Sequence, residues 1–331
     1  MNLSPKGPLQ SMTIKTKTLI CLGALLGIAA TAQQVGWPLA KLTVHVVDEQ
    51  GAAVPDAEVK IGFREKLSDR TAWAIGRTDN EGNFTAEGHS DIRLAGSVRK
   101  EGYYEAGTGW TIFKESVLGK WQPWDSVAQV VLRPVGEQVA LYAKTDWIEI
   151  PVIGEPCGYD LKKADWVAPH GKGIDSDLIF TLQRRYASRD DFEVKVKLSF
   201  AQLLDGIQET VLPVRFRNCA FKWARKAPEE GYQSTLETHL ARAPKAGLTQ
   251  SASEEQAYYF RVRTKEKDGH MVSAFYGKVR GGLQLAPSNS KTCKVKLTYY
   301  FNPNLLDRNL ECDTKHNLLE GLNYEQTPRE P

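Results

Sequence analysis

Apolar and polar residues alternate along most of this chain. Leu42, Val44 and Val46 share one side of a stretch whose other side carries Thr43 and His45, the two-residue period of a half-buried strand. Residues 48–51 (DEQG) are a turn signal, after which 54–61 (VPDAEVKI) reads as a second strand started through Pro55. Residues 76–84 (GRTDNEGNF) give a strand end, a polar turn and a new strand opened by Phe84, and residues 92–98 give one more. No long helical period interrupts the series. Short strands with turn signals roughly every 8 to 12 residues predict an all-β sandwich.

Strict alternation returns in the second half. Phe192, Val194, Val196, Leu198 and Phe200 face one way and Glu193, Lys195 and Lys197 the other; Cys293, Val295, Leu297, Tyr299 and Phe301 repeat the design. Both patterns describe antiparallel strands with one solvated face. Residues 258–264 and 271–277 flank Asp268-Gly269, a hairpin signal. Asp205-Gly206 marks a weaker second turn within 203–211, and the broken periodicity of 224–256 predicts a long loop holding a short helix over 234–241.

The N-terminal segment changes the arithmetic. Lys15 and Lys17 precede a 14-residue apolar run over 19–32 that ends in Ala30-Thr31-Ala32, the layout of a secretory signal peptide, and the run is too short for a membrane span. Cleavage after Ala32 removes three of the 43 basic residues and none of the 40 acidic ones, so the mature chain has a formal charge of zero. The electrostatic footprint of a nucleic-acid binder is missing. Export also leaves an even set of cysteines, Cys157, Cys219, Cys293 and Cys312, which allows two disulfides of undetermined pairing or buried free thiols. No Cys or His spacing of a zinc site accompanies them.

Three segments, 46–63 (VVDEQGAAVPDAEVKIGF), 76–84 (GRTDNEGNF) and 98–104 (VRKEGYY), carry a resemblance. In this order they resemble the carboxypeptidase regulatory-like domain, a transthyretin-like β-sandwich, over about residues 40–135, through Asp48, Gly51, Val54, Pro55, Ala57, Val59, Thr78, Asp79, Gly82, Phe84, Gly102 and Tyr103. The resemblance implies a first domain of transthyretin- or immunoglobulin-like sandwich fold and brings no catalytic residues with it. Residues 107–125 depart from the family pattern as a long insertion. The second half resembles secreted bacterial proteins of no named family. The expected organisation is a signal peptide (1–32), a linker (33–39), the regulatory-like sandwich (40–143), a larger antiparallel β-sandwich domain with long loops (144–325) and a disordered tail (326–331).

Little of the common catalytic vocabulary is present. Phosphate-loop, dinucleotide and Gly-x-Ser-x-Gly motifs are missing, and none of the six histidines lies in a two-histidine motif. The loop Asp79-Asn80-Glu81-Gly82-Asn83 lacks the bidentate Glu that closes a calcium loop, so it reads as a turn. The first reading is therefore a non-enzymatic exported protein with no cofactor. It would act as a structural or binding component of the periplasm, cell surface or extracellular space, facing an envelope protein or polysaccharide. Two others stay open. Trp110, Trp121 and Trp124 of the insertion, with Tyr103 and Tyr104, can build an aromatic platform for a glycan. Alternatively His170, Asp175 and Asp177, gathered in one Gly-rich loop, can serve a hydrolase.

Overall fold

Strand follows strand in the computed structural model, which describes residues 36–64, 70–287 and 292–331. The expected leader and the start of the linker lie outside the described residues. The predicted mainly-β sandwich architecture is present: four sheets account for nearly all regular structure, and the single helical element among the described residues is the 3-10 turn Val214–Phe216.

The first pair of sheets is built from residues 39–131. In one, Leu39–Val47 is central, antiparallel to Asn83–His89 and parallel to Ser126–Val131. In the other, Glu58–Arg64 lies between Thr71–Arg77 and Arg93–Arg99, and Arg93–Arg99 is extended by the short strands Ala106–Gly107 and Thr111–Ile112. Alternation sets the inner faces: Leu42, Val44 and Val46 meet Val59, Ile61 and Phe63 in one buried cluster. Each such side chain contributes roughly 1.5–3 kcal/mol on leaving water. The polar turn at 79–83 closes as expected, with the Asp79 carboxylate accepting the N–H groups of Glu81 (2.9 Å) and Asn83 (2.8 Å) and Gly82 at φ 78°. Thr78 is buried; its hydroxyl accepts the Ala57 N–H and donates to the Val54 carbonyl, tying the two motif segments together.

The second pair encloses its own core. Tyr142–Glu149, Cys293–Phe301, His270–Arg280, Ala257–Lys267 and Gly206–Thr210 lie in that order in one sheet; the other centres on Leu178–Ser188 and Asp191–Ser199. Phe180, Val194 and Val196 pack in one cluster with Phe260, Val295 and Phe301. The Asp268-Gly269 hairpin forms as predicted, joining Ala257–Lys267 to His270–Arg280 with both turn residues at positive φ.

Three expectations change. Residues 234–241 are not helical: Thr235–Ala243 is a strand paired with Asp191–Ser199, and Thr238 and Leu240 are buried at alternate positions. The turn marked by Asp205-Gly206 closes one step earlier, over Leu203-Leu204 with the Asp205 N–H on the Gln202 carbonyl (3.1 Å), and Gly206 starts a strand in the opposite sheet from Asp191–Ser199; buried Asp205 accepts the N–H groups of Arg263 (3.1 Å) and Thr264 (2.8 Å). The expected disordered tail is docked: Pro328 and Pro331 are buried and Glu330 pairs with Lys222 and Arg280.

Trp37–Pro331 forms one compact unit. Its first core also takes in Phe221, Trp223, Tyr259 and Leu310 from the second half. Polar bonds reinforce the junction. Arg133 donates to the carbonyls of Phe221 (2.9 Å) and Trp223 (2.7 Å) and pairs with Glu49, while buried Glu311 accepts from Tyr104 (2.7 Å) and Arg225. No helix among the described residues is long and apolar enough to cross a membrane.

Of the two states left open for the cysteines, disulfides and buried free thiols, the structure has the second and forms no disulfide among the described residues. Cys157, Cys219, Cys293 and Cys312 are all buried free thiols. Cys219 sits in the first core, Cys157 and Cys293 in the second, and Cys312 in a small third cluster with Leu141 and Tyr300. Each fills space as a small apolar side chain, and burial pushes the Cys293 and Cys312 thiols up to about 11.

Candidate functional site: an aromatic cleft on the first sandwich

On the sheet formed by Thr71–Arg77, Glu58–Arg64 and Arg93–Arg99, the faces divide by parity. Val59, Ile61, Phe63, Leu94 and Val98 point inward, which leaves Lys60, Gly62 and Arg64 on the outer face beside Arg93 and Ala95. Trp73, Gly62 and Ala95 stand directly across from one another. The edge strand carries only small residues on its inner side, Ala72, Ala74 and Gly76. A Cβ at Gly76 would lie 2.2 Å from the Phe84 ring, so that ring uses the space and the large residues Trp73 and Ile75 turn outward. Arg93 pairs with Ile112, which places Ile112 on this outer face, and Trp110 lies two residues before it.

The result is a cleft of about 200 Å³ between two exposed indoles, Trp73 (52% exposed) and Trp110 (69%). Gly62 and Ala95 form its floor. A Cβ on Gly62 would meet Thr71 Cγ2 at 2.9 Å and Trp73 Cζ3 at 3.0 Å, so the Trp73 ring leans on a floor that only glycine keeps open. Arg64, Arg93 and Asp91 stand at the polar rim. Asp91 accepts the Arg93 N–H (3.0 Å) and pairs with Arg64 (3.6 Å), while the Arg93 guanidinium lies 5.4 Å from the Trp110 ring. Lys60 covers the Trp73 ring at 4.2 Å without lining the cleft.

The residues singled out in the sequence separate. Trp110 borders the cleft. Trp121 turns inward, stacked on Phe113 (5.8 Å between centroids), and its Nε1–H donates to the Ser90 carbonyl, which steadies the corner that carries Asp91. Trp124 is half-buried under Lys120. Tyr103 is half-buried against the core, and Tyr104 is buried with its hydroxyl on Glu311. Trp73, the second wall, was not among the residues singled out; its signal was the run Ala72-Trp73-Ala74-Ile75-Gly76, in which the small residues claim the inner face.

Among the described residues no hydrogen bond or ion pair joins His170 to Asp175 or Asp177. The His170 ring is exposed, whereas Asp175 and Asp177 converge on Arg263. Asp177 receives two bonds of 2.7 Å from that guanidinium and a third from the Leu161 N–H (3.0 Å). Burial pushes its carboxyl up, with Arg263 opposing. A carboxylate so occupied holds a loop in place. Among the described residues no three His, Cys, Asp or Glu side chains gather as metal ligands.

A larger groove of 460 Å³ crosses the outer face of the sheet built on Asp191–Ser199. No indole or phenyl ring lines it, and Glu193 and Lys195 on its surface neutralise each other at 2.9 Å. It has the character of a solvated sheet face.

No protein-family model matches this chain, and no curated protein matches it. Among solved structures it is similar to 3-chlorocatechol 1,2-dioxygenase from Rhodococcus opacus 1CP, at 14% identity and a TM-score of 0.25 over 30% of this chain; the chain spans 61% of that enzyme. It is also similar to a proposed carbohydrate binding protein from Bacteroides uniformis ATCC 8492, at 10% identity and a TM-score of 0.17, covering 81% of this chain and 98% of that one. Likeness of this order carries no argument about chemistry.

Proposed function

We propose that this chain is an exported, non-enzymatic binding protein whose first sandwich, of the carboxypeptidase regulatory-like kind, holds a sugar ring between Trp73 and Trp110. The observation that supports this most is the pair of exposed indoles flanking a Gly62 and Ala95 floor. Indole faces suit the C–H faces of pyranoses because they are flat and apolar, and the rim supplies fixed donors and an acceptor for hydroxyl groups. The cleft has room for a single ring, so longer glycans would bind with most of their length in solvent.

Titration with neutral and acidic oligosaccharides, followed by tryptophan fluorescence and calorimetry, tests the reading. Trp73→Ala and Trp110→Ala should each weaken binding at least tenfold, about 1.4 kcal/mol, without lowering Tm. Failure of the wild-type chain to bind any sugar in the panel, or equal binding by the double variant, would remove the proposal. A second reading is a protein partner, supported by Ile75 (61% exposed) and Ile112 (62%), which extend the apolar surface of the same face beyond the cleft.

A further inference from the structure

The described lining of the cleft carries more positive than negative side chains. Among the described residues, its rim holds two guanidiniums, Arg64 and Arg93, and one carboxylate, Asp91, and Lys60 adds a further positive charge on the Trp73 ring. The carboxylate is largely committed: Asp91 holds the Arg93 backbone N–H and pairs with Arg64. Arg93 and Lys60 form no ion pair among the described residues, and each lies against one of the two indoles. Arg93 is therefore a charged fork kept ready by an aromatic surface, beside the face on which a sugar would stack.

Resting on the glycan reading above, we infer that the cleft selects anionic pyranoses, with the carboxylate of a uronic acid or the sulfate of a sulfated sugar docking on Arg93 while the ring stacks on Trp73 and Trp110. A guanidinium offers two parallel N–H donors that match the geometry of either oxyanion. Stacking on Trp110 restrains the Arg93 side chain before the ligand arrives, which lowers the ordering cost of binding. The partial exposure of the site leaves the interaction open to screening by salt.

The test compares three probes of equal length on the full chain: an oligogalacturonide, a sulfated oligosaccharide and a neutral xylo-oligosaccharide, each titrated at low and high NaCl. At least one acidic probe should bind tenfold or more tighter than the neutral one at low salt, and this ratio should shrink as salt rises. Which acidic probe is preferred distinguishes carboxylate from sulfate. Arg93→Gln should cut the ratio of acidic to neutral affinity at least fivefold, with Tm measured to show that the variant is folded. Equal affinity for acidic and neutral probes, or a preference that survives Arg93→Gln, overturns the charge selection and leaves the glycan reading standing. Absence of binding to all three probes overturns both.

Discussion

Arg263 and Asp177 meet through two parallel hydrogen bonds of 2.7 Å, joining residues 86 positions apart in the chain. Arg263 reaches this position from a bulged part of Ala257–Lys267, at φ 56°, and it also contacts Asp175 at 2.7 Å. Asp160, on the same loop, accepts four backbone N–H groups, from Lys162, Lys163, Ile174 and Asp175. The guanidinium and the Asp160 carboxylate thus share the anchoring of residues 160–177. Removing the guanidinium strands a buried carboxylate, which typically costs about 3–5 kcal/mol. Urea unfolding of Arg263→Ala should show a loss of that order, while His170→Ala, an exposed side chain, should unfold like the wild type. A small effect of Arg263→Ala would show that the loop is held by other means.

Gly62→Val should damage the cleft without damaging the fold. The added side chain would enter space now used by Thr71 Cγ2 and Trp73 Cζ3, both ends of flexible side chains on an outer face, so the indole is expected to swing off the floor. Sugar affinity should fall at least tenfold, while Tm changes by no more than a few degrees. Unchanged affinity would show that the floor does not set the position of Trp73.

The alternation along 192–200 and 293–301 was legible because one face of each strand is fully apolar, and the Asp268-Gly269 turn because its residues tolerate positive φ. Thr235–Ala243 was not, since Thr238 stands at a buried position and Ala241 and Ala243 blur the alternation. Loops that join sheets are silent in the same way: nothing near Asp205 announces that its partners are the backbone N–H groups of Arg263 and Thr264. The candidate site was half visible. Counting tryptophans in the insertion found Trp110, but Trp121 has an inward hydrogen bond that composition cannot show, and Trp73 needed the small-residue inner face of its strand to be noticed.

The cysteines should behave as buried thiols. The four among the described residues lie out of solvent, and burial holds the thiols protonated, which suppresses the reactive thiolate. Alkylating reagent added to the folded protein should leave Cys157, Cys219, Cys293 and Cys312 largely unmodified, and the same reagent in denaturant should label all four without prior reduction. Tm should be the same with and without dithiothreitol. A fall in Tm on reduction would reveal a disulfide.

Lys278 offers a test through pH. Its ammonium is fully buried among Phe221, Trp223 and Tyr300 and donates to the main-chain oxygens of Leu310 (2.8 Å) and Pro331 (3.0 Å), and burial lowers its pKa to about 7. In the unfolded chain the same amine holds its proton to about pH 10.4. Above pH 7 the unfolded state therefore binds more protons than the folded state, and stability rises with pH, by at most about 1.4 kcal/mol per pH unit. The four buried thiols, whose pKa values are raised, contribute the opposite slope as the unfolded cysteines lose their protons around pH 8.5, because the folded ones keep theirs. The window in which Lys278 dominates is thus about pH 6.5 to 7.5. Urea unfolding across it should give a free energy that climbs for the wild type and is flatter for Lys278→Met. The variant should also be less stable at pH 7.5, because two buried main-chain oxygens lose their donor. Equal slopes for the two proteins would mean that Lys278 keeps its charge inside the fold.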